Sequence, residues 1–258
     1  MEAVSSIYRT PGLVFTPEGQ QISLDEIKST ADLLRFHLGR YRAWRCHTDE
    51  AFNEKFVEVQ KFQVARLMRT HADLLGEPRF KAATEFFLSD MYGGLDLSEL
   101  AREVERALPI ANRLLPDSVM RTSAVALELN ALTGELDEAV TAMLFEVMGV
   151  EKLSDVAMAE AYRAVGHYEL RERQMALLTE LGEGLDKYVR SRVIFATFKI
   201  ANKPAHMAGL GGLYDFLGRG FEVMRPMGSA HEFLSRFTGK EMEILENLRG
   251  GTPNPFAV

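Results

Sequence analysis

The chain has little sulfur chemistry to offer. Cys46 is the single cysteine in 258 residues, so no internal disulfide can form and the sequence reads as the product of a reducing compartment, with the cytoplasm expected. Long apolar runs are also missing. Stretches such as Ala142–Phe145 and Val193–Phe198 are broken long before the roughly 20 residues that a bilayer-crossing helix needs, and no membrane partner is expected. The opening MEAVSSIYRTPGLVF has neither a basic start nor a continuous apolar core and does not read as a signal peptide. Positive charge is in deficit, 30 Lys and Arg against 37 Asp and Glu, for a net charge of −7, which disfavours a non-specific polyanion binder.

Several chemistries are excluded by spacing. Paired metal sites in helical bundles use Glu-x-x-His, which brings both ligands to one ion from adjacent turns. None of the six histidines has an acidic residue three positions before it, and no two lie four apart. The Gly209–Gly212 cluster lacks the register and the preceding strand of a dinucleotide loop, and a Gly-x-Ser-x-Gly nucleophile turn is absent.

Helical periodicity fills nearly everything else. Residues 1–22, with Pro11, Gly12, Pro17 and Gly19, are expected to form an extended arm. Ser23 and Glu26 have capping-box spacing ahead of the stripe Leu34, Leu38 and Tyr41. A second helix is expected from Thr48 to Gly76, and a third from Pro78 to Gly93-Gly94. Pro109 and Pro116 read as punctuation, Thr133-Gly134 and Gly149 as stops, and Ser154 as a cap. Further helices are expected near residues 168–189, 192–202, 204–222 and 229–248. About ten helices and no strand predict an all-α fold, one helical domain over residues 23–249 with a flexible tail at 250–258.

Three groups of residues are candidates for function. In Phe86-Phe87-Leu88-Ser89-Asp90-Met91-Tyr92-Gly93 the adjacent phenylalanines demand burial over a wide arc, which leaves Asp90 and Tyr92 enclosed and in need of partners such as Arg163, Arg173 or Arg225. The stretch from Pro204 to Met227 combines small residues with His206, Tyr214 and Arg225 as the polar groups of a pocket. Glu160 and His167 are seven apart, a metal pair if one helix continues through Gly166. A fourth feature is the basic, aromatic run containing Arg35, Arg40, Arg42 and Arg45, suited to phosphate or an acidic partner. Each has a plain packing alternative: a buried ion pair, close helix contacts, a surface histidine and a solvated face.

The same segments resemble an all-helical bacterial family of unknown function marked by Phe-Phe-Leu-x-Asp-x-Tyr-Gly. The motif stands at residues 86–93, and a second pattern matches Pro204-Ala205, Gly209, Phe216-Leu217, Gly220-Phe221, Met227, Ala230 and Phe233-Leu234. Ala161-Tyr162-Arg163 and Arg171-x-Arg173-Gln174 resemble intervening patterns, so the similarity spans residues 50–248. Gly94 replaces a usual proline, and Lys240-Glu241 a usual Arg-Glu. The resemblance implies a helical fold and no activity or cofactor. The expectation is therefore a cytoplasmic binding module for a partner protein or a small ligand in a groove between helices, with a homodimer among the expected assemblies. The alternatives are a haem- or metal-dependent helical enzyme using Glu160, His167 and His206, and nucleic-acid contact through the Arg35–Arg45 helix.

Overall fold

In the computed structural model the described residues are 13–15, 21–23, 27–45, 50–92 and 98–258. Twelve α-helices account for most of them: α1 (Thr30–Arg45), α2 (Glu50–Thr70), α3 (Ala72–Gly76), α4 (Pro78–Phe86), α5 (Ser98–Leu114), α6 (Asp117–Ala142), α7 (Asp155–Val165), α8 (Tyr168–Arg190), α9 (Arg192–Ile200), α10 (Asn202–Met207), α11 (Gly211–Met224) and α12 (His231–Arg249). The protein is all-α. The described strands, β1 (Leu13–Phe15) and β2 (Gln21–Ser23), form a small antiparallel hairpin with Val14 opposite Ile22, inside the region expected to be an extended arm.

The start of α1 lies seven residues beyond the expected cap. Ser29, not Ser23, accepts the amide of Asp32 at 3.2 Å and donates to its carboxylate at 2.7 Å, while Ser23 pairs across the hairpin with Leu13. Ser154 does cap α7, accepting from the Ala157 amide at 3.1 Å. Thr48 and Gly93-Gly94 lie outside the described residues.

Helix α6 is the axis of the molecule, flanked by α1 and α8, with α12 packed against α8. The sequence predicts a break at Thr133-Gly134, yet α6 runs through it without interruption. Glycine costs a helix interior about 1 kcal/mol, less than the packing of a turn whose neighbours Leu132, Leu136 and Ala139 are fully enclosed. Thr133 turns its hydroxyl back to the Leu129 carbonyl at 2.8 Å and remains helical. Pro109 likewise lies inside α5 instead of ending it.

Three apolar clusters surround this axis. One joins Leu74, Phe80, Leu177, Leu181, Phe233 and Phe237; the second joins Val59, Val140, Leu144, Met158 and Ile244; the third joins Leu34, Leu38, Phe56 and Ala131. The tail beyond α12 packs against the second cluster, with Pro255 buried and the Phe256 ring edge-on to Tyr162. Two π-helical turns, Phe87–Tyr92 and Met143–Val147, follow α4 and α6. Such widened turns re-aim side chains and recur at functional sites. The first directs Phe87 onto Phe237, with centroids 5.0 Å apart, while Phe86 points away toward Phe216.

A candidate ligand site in the bundle interior

From Leu129 to Ala142, α6 is buried almost all round, so any polar side chain there must find its partners inside the protein. Asp137 is such a group, only 2% exposed. The Tyr92 hydroxyl, delivered by the first π-helical turn, donates to its carboxylate at 3.0 Å from Oδ2 and 3.3 Å from Oδ1. Burial pushes the Asp137 carboxyl up to about 6, against the opposing pull of the Arg171 charge and hydrogen bonds from Tyr92 and Gln63. Burial, then the neighbouring Asp137 charge, lifts the Tyr92 phenol well above its usual range, so it remains a donor.

Helix α2 supplies the next layer from one face. Gln63 hydrogen-bonds the Tyr162 hydroxyl of α7, and Arg66, one turn on, donates from Nη1 to both carboxylate oxygens of Glu241 on α12 at 2.6 Å each. His71, at the junction of α2 and α3, reaches the same carboxylate through Nε2 at 2.9 Å and stacks on Phe237 with centroids 3.8 Å apart. A carboxylate only accepts, so Nε2 carries the proton of that bond. Burial resists the Glu241 charge, but the Arg66 cation and the bond from His71 outweigh it and hold the carboxyl at about 2. Arg66 is in turn kept firmly cationic, since the Glu241 charge overrides the cost of its burial.

Arg171 on α8 completes the centre. Its guanidinium carbon lies 3.9 Å from the centroid of the Tyr162 ring, a cation–π arrangement, and the residue is 7% exposed. Its Nε and Nη2 are buried without a hydrogen-bond partner, as are Arg66 Nε and His71 Nδ1. A buried guanidinium with unpaired N–H groups is an unusual arrangement, because such donors cost about 1–3 kcal/mol each when left unmet.

Residues 43–255 match the family described as a domain of unknown function, DUF8198. The chain belongs to the DUF8198 family. Every residue of the buried centre lies within the matched segment of this DUF8198 chain, whereas the hairpin and most of α1 precede it. No curated protein and no solved structure matches the chain.

The candidate residues read from the sequence occupy different places in the DUF8198 structure. Tyr92 is in the centre; Asp90 lies in the same π-helical turn, but its side chain falls outside the described residues. Arg163, beside Tyr162 on α7, faces the other way and binds the carbonyls of Leu248 at 3.1 Å and Thr252 at 2.5 Å, closing the end of α12. Arg173 pairs with Glu128 at 3.0 Å. Tyr214 donates to the Phe198 carbonyl at 2.9 Å, and His206 is exposed, 3.4 Å from Asp215. Arg225 lies over the Phe195 ring at 4.1 Å and lines a surface cleft of about 260 Å³ with Arg190, Arg192 and Asp186. His206, Tyr214 and Arg225 therefore do not converge with Tyr92.

Glu160 is exposed near the end of α7, and Gly166, at φ 69°, separates it from His167 at the start of α8. The continuous helical face that their pairing requires does not exist. Among the described residues no group of three or more His, Cys, Asp or Glu side chains is placed to hold a metal ion. Of the basic run, Arg35 is bound to Asp32 at 2.9 Å and Arg40 forks onto Glu135 at 2.9 and 2.5 Å; the side chains of Arg42 and Arg45 are outside the described residues. No helix among the described residues is long and apolar enough to cross a membrane.

Gln63, Arg66, His71, Asp137, Tyr162, Arg171 and Glu241 were not candidates from the sequence. The signal for two of them was present. Gln63 and Arg66 stand seven residues after the buried Phe56 and Val59, so polar groups fill positions that helical periodicity assigns to the core.

Proposed function

We propose that this protein binds a small organic anion in the interior of the helical bundle, with Arg171 as the anchor for the negative group and the Tyr92–Asp137 pair facing the bound molecule. The observation that carries the reading is the buried Arg171 guanidinium, whose Nε and Nη2 have no partner. Guanidinium N–H groups fit carboxylate and phosphate oxygens, and sequestering such a pair from water strengthens it. The Tyr162 ring lies against the cation, and the neutral groups Gln63 and Tyr92 are bonded to the Tyr162 hydroxyl and to Asp137. Glu241 is already held by Arg66 and His71, so that ion pair acts as a wall of the site.

Thermal shift with mono- and dicarboxylates and inorganic phosphate tests the proposal. Ligand at about 100 times its Kd stabilises by roughly 2.7 kcal/mol, which raises Tm by about 5–10 °C for a chain of this size. Arg171→Gln, with its helical circular dichroism intact, is expected to abolish the shift. An unchanged shift in that variant contradicts the assignment.

A further inference from the structure

Helix α8 gives way to α9 at Ser191, whose hydroxyl accepts the Ile194 amide at 3.3 Å, so one helix ends and the next begins between Arg190 and Arg192. Farther along the chain, a single 3-10 turn starting at Arg225 and containing Pro226 follows α11, and Gly228, at φ 74°, leads from it toward α12. These two junctions meet. Arg190, Arg192 and Arg225 line one cleft of about 260 Å³ with Asp186, Gly228 and Ala230.

One carboxylate in this cleft faces three guanidinium groups. Asp186 accepts from Arg190 Nη1 at 3.1 Å through one oxygen and from the Ala230 amide at 2.9 Å through the other, which ties down the start of α12. Among the described residues no carboxylate pairs with Arg192 or Arg225. The Arg225 guanidinium lies over the Phe195 ring at 4.1 Å, and the Lys199 ammonium shares that ring at 4.8 Å. In a chain of net charge −7 the cleft thus keeps two arginines unmatched, and the N-terminal end of α12 adds the positive pole of its dipole.

We propose that this cleft binds the diphosphate group of a small molecule, one phosphate against Arg192 and the other against Arg225, at a site separate from the interior one around Arg171. The planar guanidinium fork matches phosphate oxygens in pairs. The cleft has the volume of about eight water molecules at roughly 30 Å³ each, room for two linked phosphates. Linkage makes the second contact intramolecular, so a diphosphate binds more tightly than inorganic phosphate, which has a single group to offer.

Isothermal titration of the full chain with pyrophosphate, without divalent metal and at low salt, tests the proposal. One site is expected in the wild type and in Arg171→Gln alike. Arg192→Gln and Arg225→Gln, both at exposed positions, each weaken binding by about 10–100-fold, with unchanged circular dichroism. Arg219→Gln removes the same charge from α11 outside the cleft and leaves binding as it is. The carboxylate-induced thermal shift that tests the interior site is unaffected by the two cleft variants, so either reading can fail alone. Absence of pyrophosphate binding overturns the proposal, as does binding that survives both cleft variants or that inorganic phosphate equals in affinity. Binding lost in Arg171→Gln but kept in Arg225→Gln puts the anion in the interior and overturns it too. A single-stranded oligonucleotide that binds more tightly than pyrophosphate, and is lost in the same cleft variants, overturns it in favour of nucleic acid.

Discussion

Asp137 and Glu241 are both enclosed carboxyls, and their surroundings drive them in opposite directions. Glu241 has a cation in bidentate contact and stays ionised; Asp137 has a phenol, an amide and a more remote cation, which burial outweighs. The sign of the resulting pH dependence follows directly. Between about pH 4 and 6 the folded protein keeps the Asp137 proton that the unfolded chain has lost, so this group makes stability fall as pH rises through that window. Asp137→Asn removes the effect. Its stability in urea, relative to wild type, should improve by up to about 3 kcal/mol from pH 4 to pH 6, at about 1.36 kcal/mol per pKa unit. A constant difference would refute the raised pKa. Glu241→Gln has the opposite character, since it leaves Arg66 buried without a counter-charge, and should cost about 3–5 kcal/mol in the same measurement at neutral pH.

Helices meet at fixed distances because specific positions are small. Gly182 on α8 lies against Leu234 of α12, whose Cγ would be 2.9 Å from an added Cβ, with the two terminal methyls closer still. Gly182→Ala is therefore expected to push α12 away and to lower stability by about 1–3 kcal/mol in urea unfolding. Because α12 carries Glu241, the same variant should also loosen the Arg66–Glu241–His71 contact. Element boundaries illustrate what periodicity can and cannot convey. Ser154 was legible as a cap because a hydroxyl three residues before a free amide is a local device. Continuity of α6 through Thr133-Gly134 was not legible, since it depends on how tightly that turn is enclosed by other helices. The π-helical turn that aims Tyr92 inward was equally invisible, because it changes side-chain direction without changing the apolar pattern.

At the scale of the whole molecule, the all-α class could be read from spacing because each helix records its own buried stripe. The candidate site could not, because Gln63, Tyr92, Asp137, Tyr162, Arg171 and Glu241 come from six separate elements whose mutual approach only the tertiary fold determines. Tyr92 was reached by asking which polar group an apolar segment would enclose; the same question asked of Asp137, between Leu136 and Ala139, would have found it too. Entry of an anion next to Arg171 is the decisive event for the proposed function. Carbon-13 NMR of aspartate carboxyls measures this most directly, since a bound negative charge near Asp137 must favour its protonated form. The Asp137 resonance should titrate near pH 6 in the free protein and move upward when a bound carboxylate saturates the wild type, but not Arg171→Gln. A titration that stays in place at saturating anion, or that moves equally in the variant, would contradict the account.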